Sequence, residues 1–146
     1  MSTHRSNLLF EVRDQARVSA STDTSGLESG VEWLVEAFGC RPEALRSESS
    51  LRSLFERAVA ELSLRPIAPP SFHLFPPPGG ITGVLLLSES HLTCHTFPER
   101  GYAALNLYCC RLRQRWDFAV RCRELLGAER TQVIEIRRGG LPEAGT

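Results

Sequence analysis

Residues 81–110, ITGVLLLSESHLTCHTFPERGYAALNLYCC, decide the fold. Three strand-length segments follow one another there, ITGVLLLS (81–88), HLTCHTF (91–97) and YAALNLYCC (102–110), separated by the Ser88–Ser90 bend and the turn chemistry of PERG (98–101). Adjacent strands joined by breaks this short point to antiparallel pairing. On the middle strand His91, Thr93 and His95 share one face, because side chains alternate along a strand.

Upstream, VEWLVEAFGC (31–40) alternates Val31, Trp33, Val35 and Ala37 with Glu32, Leu34, Glu36 and Phe38, a strand with one buried face. RPEALRSESSLRSLFERAVAEL (41–62) repeats Leu51, Leu54, Phe55, Ala58, Val59 and Leu62 at helical spacing, which predicts one surface helix packed on the sheet. The Pro-rich connector 64–80 leaves room for a short strand around Ser71 to Phe75. Downstream, QRWDFAVRCRELLG (114–127) sets Phe118, Cys122 and Leu125 on one helical face with Gly127 as its stop, and TQVIEIRR (131–138) closes as a strand. The order β-α-β-β-β-α-β predicts an α+β fold, a two-layer α/β sandwich with a mainly antiparallel sheet and helices on one face. Residues 1–29, which include the Ser/Thr/Gly-rich SASTDTSGLES, read as an N-terminal extension and flexible linker to a domain at 30–146. The Gly/Pro tail is expected to fray.

With 146 residues and 42% hydrophobic content, the chain can bury one core. Seventeen basic and seventeen acidic side chains cancel, so bulk electrostatics gives no case for nucleic acid or an anionic membrane surface. No apolar run approaches the length of a membrane span, and the N-terminus is too polar and acidic for a signal peptide. Five cysteines with no C-x-x-C argue against a disulfide scaffold or structural zinc and fit a reducing, cytoplasmic setting. Lysine is absent from the sequence, which excludes a Schiff-base lysine holding pyridoxal phosphate and a Walker-type phosphate loop.

Taken singly, the polar residues of 81–110 have ordinary explanations. Ser-Glu-Ser is a common turn, a strand histidine is most often hydrogen-bonded in a core, and free cysteine behaves as a small hydrophobe. His91 and His95 stand about 13 Å apart by strand rise, too far to share a metal. A Cys–His hydrolase built on Cys110 or Cys94 with His95 lacks any Gly-rich turn or helix N-terminus near Cys110.

Order and spacing carry more. GVLLLSESHLTCHTFPERGYAALNLYCC strongly resembles the self-processing signature of the prokaryotic S-adenosylmethionine decarboxylase proenzymes, and the likeness extends through VEWLVEAFGC, FHLFPPPGGITGV and TQVIEIRRG. The resemblance implies a two-layer sandwich that assembles as a homodimer of processed chains, with no metal. It implies autocatalytic cleavage between Glu89 and Ser90 into a β chain 1–89 and an α chain 90–146. Ser90 would become a covalent pyruvoyl group, the ketone that condenses with the substrate amine in place of pyridoxal phosphate. His95 matches the processing proton carrier, Thr82 a supporting hydroxyl, and Cys110 the proton donor. Glu99 matches a ligand of the ribose hydroxyls, Phe75 matches an aromatic that stacks on adenine, and Phe97 stands where a substrate-facing Trp is usual. The implied reaction is decarboxylation of S-adenosylmethionine for spermidine biosynthesis.

Departures sit at Arg100, where Tyr is usual, and at Asn106, where Asp is usual; YCCRLRQRW replaces a Thr-Cys-Gly and an acidic stretch. They bear on the substrate, so an arginine or ornithine decarboxylase on the same scaffold is the alternative of like chemistry. A non-catalytic binding or regulatory homologue is the alternative of another class.

Overall fold

The computed structural model describes residues 29–139, and the expectations for residues 1–28 and for the tail after 139 lie outside them. Six strands form one antiparallel sheet in the order β2-β3-β4-β5-β1-β6. They are β1 Gly30–Phe38, β2 Ser71–Leu74, β3 Ile81–Leu87, β4 Ser90–Phe97, β5 Tyr102–Cys109 and β6 Arg130–Arg138. Three helices, α1 Pro42–Leu45, α2 Glu48–Glu61 and α3 Phe118–Leu126, cover one face. The predicted α+β sandwich is the observed one.

The alternation read in the sequence fixes which face is covered. Val31, Trp33, Val35 and Ala37 of β1 are buried with Ile81, Leu85, Leu92, Cys94, Leu105 and Leu107 of the neighbouring strands. Leu51, Leu54, Phe55, Ala58 and Val59 close over them from α2, as do Phe118, Cys122 and Leu126 from α3. Gly83 is needed on β3, because a Cβ there would come within 2.7 Å of the Phe72 ring and 2.9 Å of Cys94 Sγ.

The single helix expected over 41–62 is two. Arg46 ends α1, and Ser47 takes an extended backbone so that its hydroxyl accepts from the Ser50 N–H at 3.3 Å, the N-cap of α2. Capping chemistry overrides the apolar period at that point. The PERG turn is a 3-10 turn, Pro98–Arg100, and Gly101 takes a left-handed φ of 58° to launch β5.

The uncovered face carries the other parity: Thr82, Val84 and Leu86 on β3, His91, Thr93, His95 and Phe97 on β4, and Ala104, Asn106 and Tyr108 on β5. Its large apolar members are exposed: Val84 at 42%, Leu86 at 53%, and Ile134 and Ile136 of β6 at 44% and 38%.

Candidate active site

Two groups of polar residues stand at opposite ends of the β3–β4 hairpin. At the first end, Thr82 and His95 are cross-strand partners, and Thr82 Oγ1 lies 3.0 Å from His95 Nδ1. They line a depression of ≈ 470 Å³ together with Phe75, Phe97 and Glu99. The Pro-rich stretch forms one wall, and the Arg46 Nε–H donates to the Pro78 carbonyl at 2.7 Å. Phe97 ends a row of rings running in register across three strands, 5.5 Å from Tyr102, which is 5.4 Å from Phe38. The Tyr102 hydroxyl donates to the Glu36 carboxylate, and that bond to an anion pushes the phenol up to about 12.

The second end is the turn itself. Leu87 pairs with Ser90, leaving Ser88 and Glu89 as a two-residue connection. The Cys110 N–H donates to the Glu89 carbonyl at 2.9 Å. The Glu89 carboxylate meets the Arg111 guanidinium at 3.1 Å. Ser90 faces Cys109 across the ladder. Burial pushes the Cys109 thiol up, although Ser90 and Arg113 both hydrogen-bond to it. Cys110, by contrast, is exposed. Beside it on the open face Tyr108 is held protonated above its ordinary range, first by its hydrogen bond with the Cys110 thiol. The His91 ring lies 5.6 Å from Tyr108, and the Arg138 guanidinium 5.3 Å.

This turn can do one particular kind of chemistry. A peptide carbonyl already held by a backbone N–H is polarised toward nucleophilic attack, and the same N–H stabilises the oxyanion that attack creates. The neighbouring nucleophile is the hydroxyl of Ser90. The sequence offers no Gly-rich turn near Cys110, yet the donor is present, because a main-chain amide has no signature in the residue type that carries it.

The structure therefore gathers Thr82, His95, Phe75, Phe97 and Glu99 at one site and Glu89, Ser90 and Cys110 at another. It does not bring the two together within one chain. Ser90 and His95 are five positions apart on β4, so they project to opposite faces and stand about 16 Å apart by strand rise. Arg100 and Asn106 do not line the depression. The Arg100 guanidinium stacks 5.3 Å from the Tyr102 ring centre and 5.9 Å from that of Phe97. Asn106 Nδ2 donates to Glu32 at 2.8 Å, which is the first cause holding that carboxylate below its usual range. Among the described residues no group of three or more His, Cys, Asp or Glu is placed to hold a metal, and no helix is long and apolar enough to cross a membrane.

The family model described as S-adenosylmethionine decarboxylase matches residues 31–139. The chain belongs to the S-adenosylmethionine decarboxylase family. Curated relatives named S-adenosylmethionine decarboxylase proenzyme include one from Thermococcus kodakarensis, 38% identical over 111 residues that span 75% of this chain and 76% of the relative. Another, from Geobacillus kaustophilus, is 38% identical over 109 residues, spanning 73% of this chain and 85% of the relative. The crystal structure of the adenosylmethionine decarboxylase from Aquifex aeolicus superposes with a TM-score of 0.63 at 26% identity, covering 83% of this chain and 99% of that one. For a decarboxylase family, two side chains here escaped the sequence reading. Tyr108 touches the Cys110 thiol, and strand parity from Cys110 would have found it. Cys109, read as core, touches Ser90 as well.

Proposed function

We propose that the chain is a proenzyme that cuts itself between Glu89 and Ser90 and, as a pyruvoyl enzyme, decarboxylates S-adenosylmethionine, yielding the aminopropyl donor for spermidine synthesis. The observation that carries this reading is the two-residue turn whose scissile carbonyl, on Glu89, accepts from the Cys110 N–H at 2.9 Å with the Ser90 hydroxyl next in sequence. Ser90 Oγ bonds to the Glu89 carbonyl carbon, the amide C–N bond breaks, and the hydroxyl proton ends on the freed amine, leaving an ester. Removal of the Ser90 α-proton expels the Glu89 carboxylate, and the dehydroalanine takes up water and loses ammonia to leave a pyruvoyl end. The residues present fit that group: a serine at a strand start, a polarised carbonyl before it, and an exposed cysteine whose N–H holds that carbonyl.

Once formed, the pyruvoyl ketone supplies the electron sink that decarboxylation requires. The rest falls to side chains. Cys110, exposed on the open side of the sheet, returns a proton to the substrate carbon. Thr82, bonded at His95 Nδ1, fixes the ring so that Nε2 is left to carry protons. Glu99 accepts from the ribose hydroxyls, and Phe75 and Phe97 offer aromatic faces to the adenine and the sulfonium cation.

His95 cannot reach Ser90 in its own chain, so the working unit is a homodimer in which a second copy supplies the Thr82–His95 pair. The exposed Val84, Leu86, Ile134 and Ile136 on the uncovered sheet face support that pairing.

The mass of the purified chains tests the reading. Two fragments are expected, the second starting at position 90 with a pyruvoyl end, and Ser90→Ala should remain one full-length chain. Cys110→Ala should still cleave but release CO2 from S-adenosylmethionine at least tenfold more slowly. A single intact wild-type chain would remove the pyruvoyl mechanism, and CO2 from arginine or ornithine alone would remove the substrate assignment.

A further inference from the structure

Glu89 is held at two of its atoms by consecutive residues at the end of β5. Its carbonyl oxygen accepts from the Cys110 N–H at 2.9 Å, and its carboxylate Oε2 meets Arg111 Nε at 3.1 Å. The backbone contact orients the carbonyl that self-cleavage attacks, and the side-chain contact anchors the same residue from its other end. The turn between Leu87 and Ser90 has only Ser88 and Glu89 in it, so fixing the Glu89 side chain removes much of the freedom by which its carbonyl could rotate out to water.

Charge acts in the same direction. As Ser90 Oγ bonds to the Glu89 carbon, negative charge develops on the carbonyl oxygen, a few bonds from the residue's own carboxylate. A guanidinium paired with that carboxylate offsets the repulsion between the two. We propose that Arg111 is a positioning residue for self-cleavage, its guanidinium anchoring the Glu89 side chain so that the scissile carbonyl stays on the Cys110 amide. The inference rests on the self-cleavage reading above and adds to it a residue that touches neither the nucleophile nor the substrate.

Arg111 and Glu89 are 59% and 43% exposed, so the effect is modest, a slowing of about two- to fivefold on losing the pair. The experiment follows the full-length band and its mass after a pulse of cell-free synthesis. It compares wild type with Arg111→Gln, Arg111→Lys, Glu89→Gln and the Glu89→Gln/Arg111→Gln double variant. Arg111→Gln should slow cleavage more than Glu89→Gln, which loses the anchor but also the carboxylate's repulsion, and the double variant should cleave no more slowly than Arg111→Gln. Arg111→Lys, which keeps the charge, should cleave near the wild-type rate. Raising salt to about 1 M should slow the wild type toward Arg111→Gln and leave that variant unchanged.

Wild-type cleavage with an equally fast Arg111→Gln overturns this inference and leaves self-cleavage standing. So does a double variant whose slowing is the product of the two single effects. No cleavage of the wild type overturns both. Because the salt arm is read on the wild-type chain, a variant that folds poorly does not spare the inference.

Discussion

A single oxygen, Thr96 Oγ1, accepts from the Ile81 N–H at 2.9 Å and donates to the Leu45 carbonyl at 2.7 Å. Thr96 is the buried polar side chain among the described residues, 5% exposed, and it ties the end of α1 to β3 and β4 behind the Thr82–His95 cavity. Thr96→Val keeps the shape but strands a buried donor and a buried acceptor, so a loss of about 2–3 kcal/mol is expected. Urea unfolding should show a lower midpoint at unchanged slope, and a midpoint equal to wild type would mean water replaces the hydroxyl. At this scale the sequence was legible wherever a side chain's type carries its chemistry. Glu99, His95, Thr82 and the two phenylalanines were readable through their motif and lie together. The Cys110 amide and the Thr96 clamp were not, because the first belongs to the main chain and the second depends on contacts with α1, 51 residues away.

Strand β4 carries both halves of the candidate chemistry, Ser90 at its start and His95 near its end, on opposite faces. That parity was readable from the alternation of Leu92, Cys94 and Thr96 with Thr93 and His95, and the buried and open faces follow it. What the pattern could not convey is that, on the proposed function, Ser90 and His95 of different copies would have to meet. Co-expression of His95→Ala with Ser90→Ala tests this. Each variant alone should stay full length, and in the mixture the His95→Ala chain, which keeps Ser90, should be cut. A mixture that stays uncut while both variants form dimers would return the proton transfer to a residue of the same chain. The split between α1 and α2 escaped the apolar period for a comparable reason. A Ser at 47 reads as an ordinary polar position until its hydroxyl is seen capping Ser50.

Over the whole molecule, burial of the cysteines sets a limit on alkaline stability. Burial raises Cys40 to about 11 and both Cys94 and Cys122 to about 12, against 9.0 for an unburied thiol. Below pH 9 both folded and unfolded chains keep these protons, and the full stability is present. Between 9 and 12 the unfolded chain releases them while the folded one holds them, so stability falls as pH rises. At pH 10 the loss is about 1 kcal/mol per thiol. Urea midpoints at pH 8, 9.5 and 10.5 should decline progressively, and Cys122→Ala should show a shallower decline; a flat profile would contradict burial of the thiols. The sandwich and the antiparallel run of β3, β4 and β5 were foreseeable because short turns leave adjacent strands few ways to pair. The insertion of β1 between β5 and β6 was not, since no local pattern encodes a partner more than sixty residues away. That insertion governs what a cut in the β3–β4 turn does. Residues 1–89 hold β1, β2 and β3, residues 90–146 hold β4, β5 and β6, and the ladders β3–β4, β5–β1 and β1–β6 all cross between them. Products of such a cut would be interleaved like the teeth of a closed zip, and neither could leave without opening three seams at once.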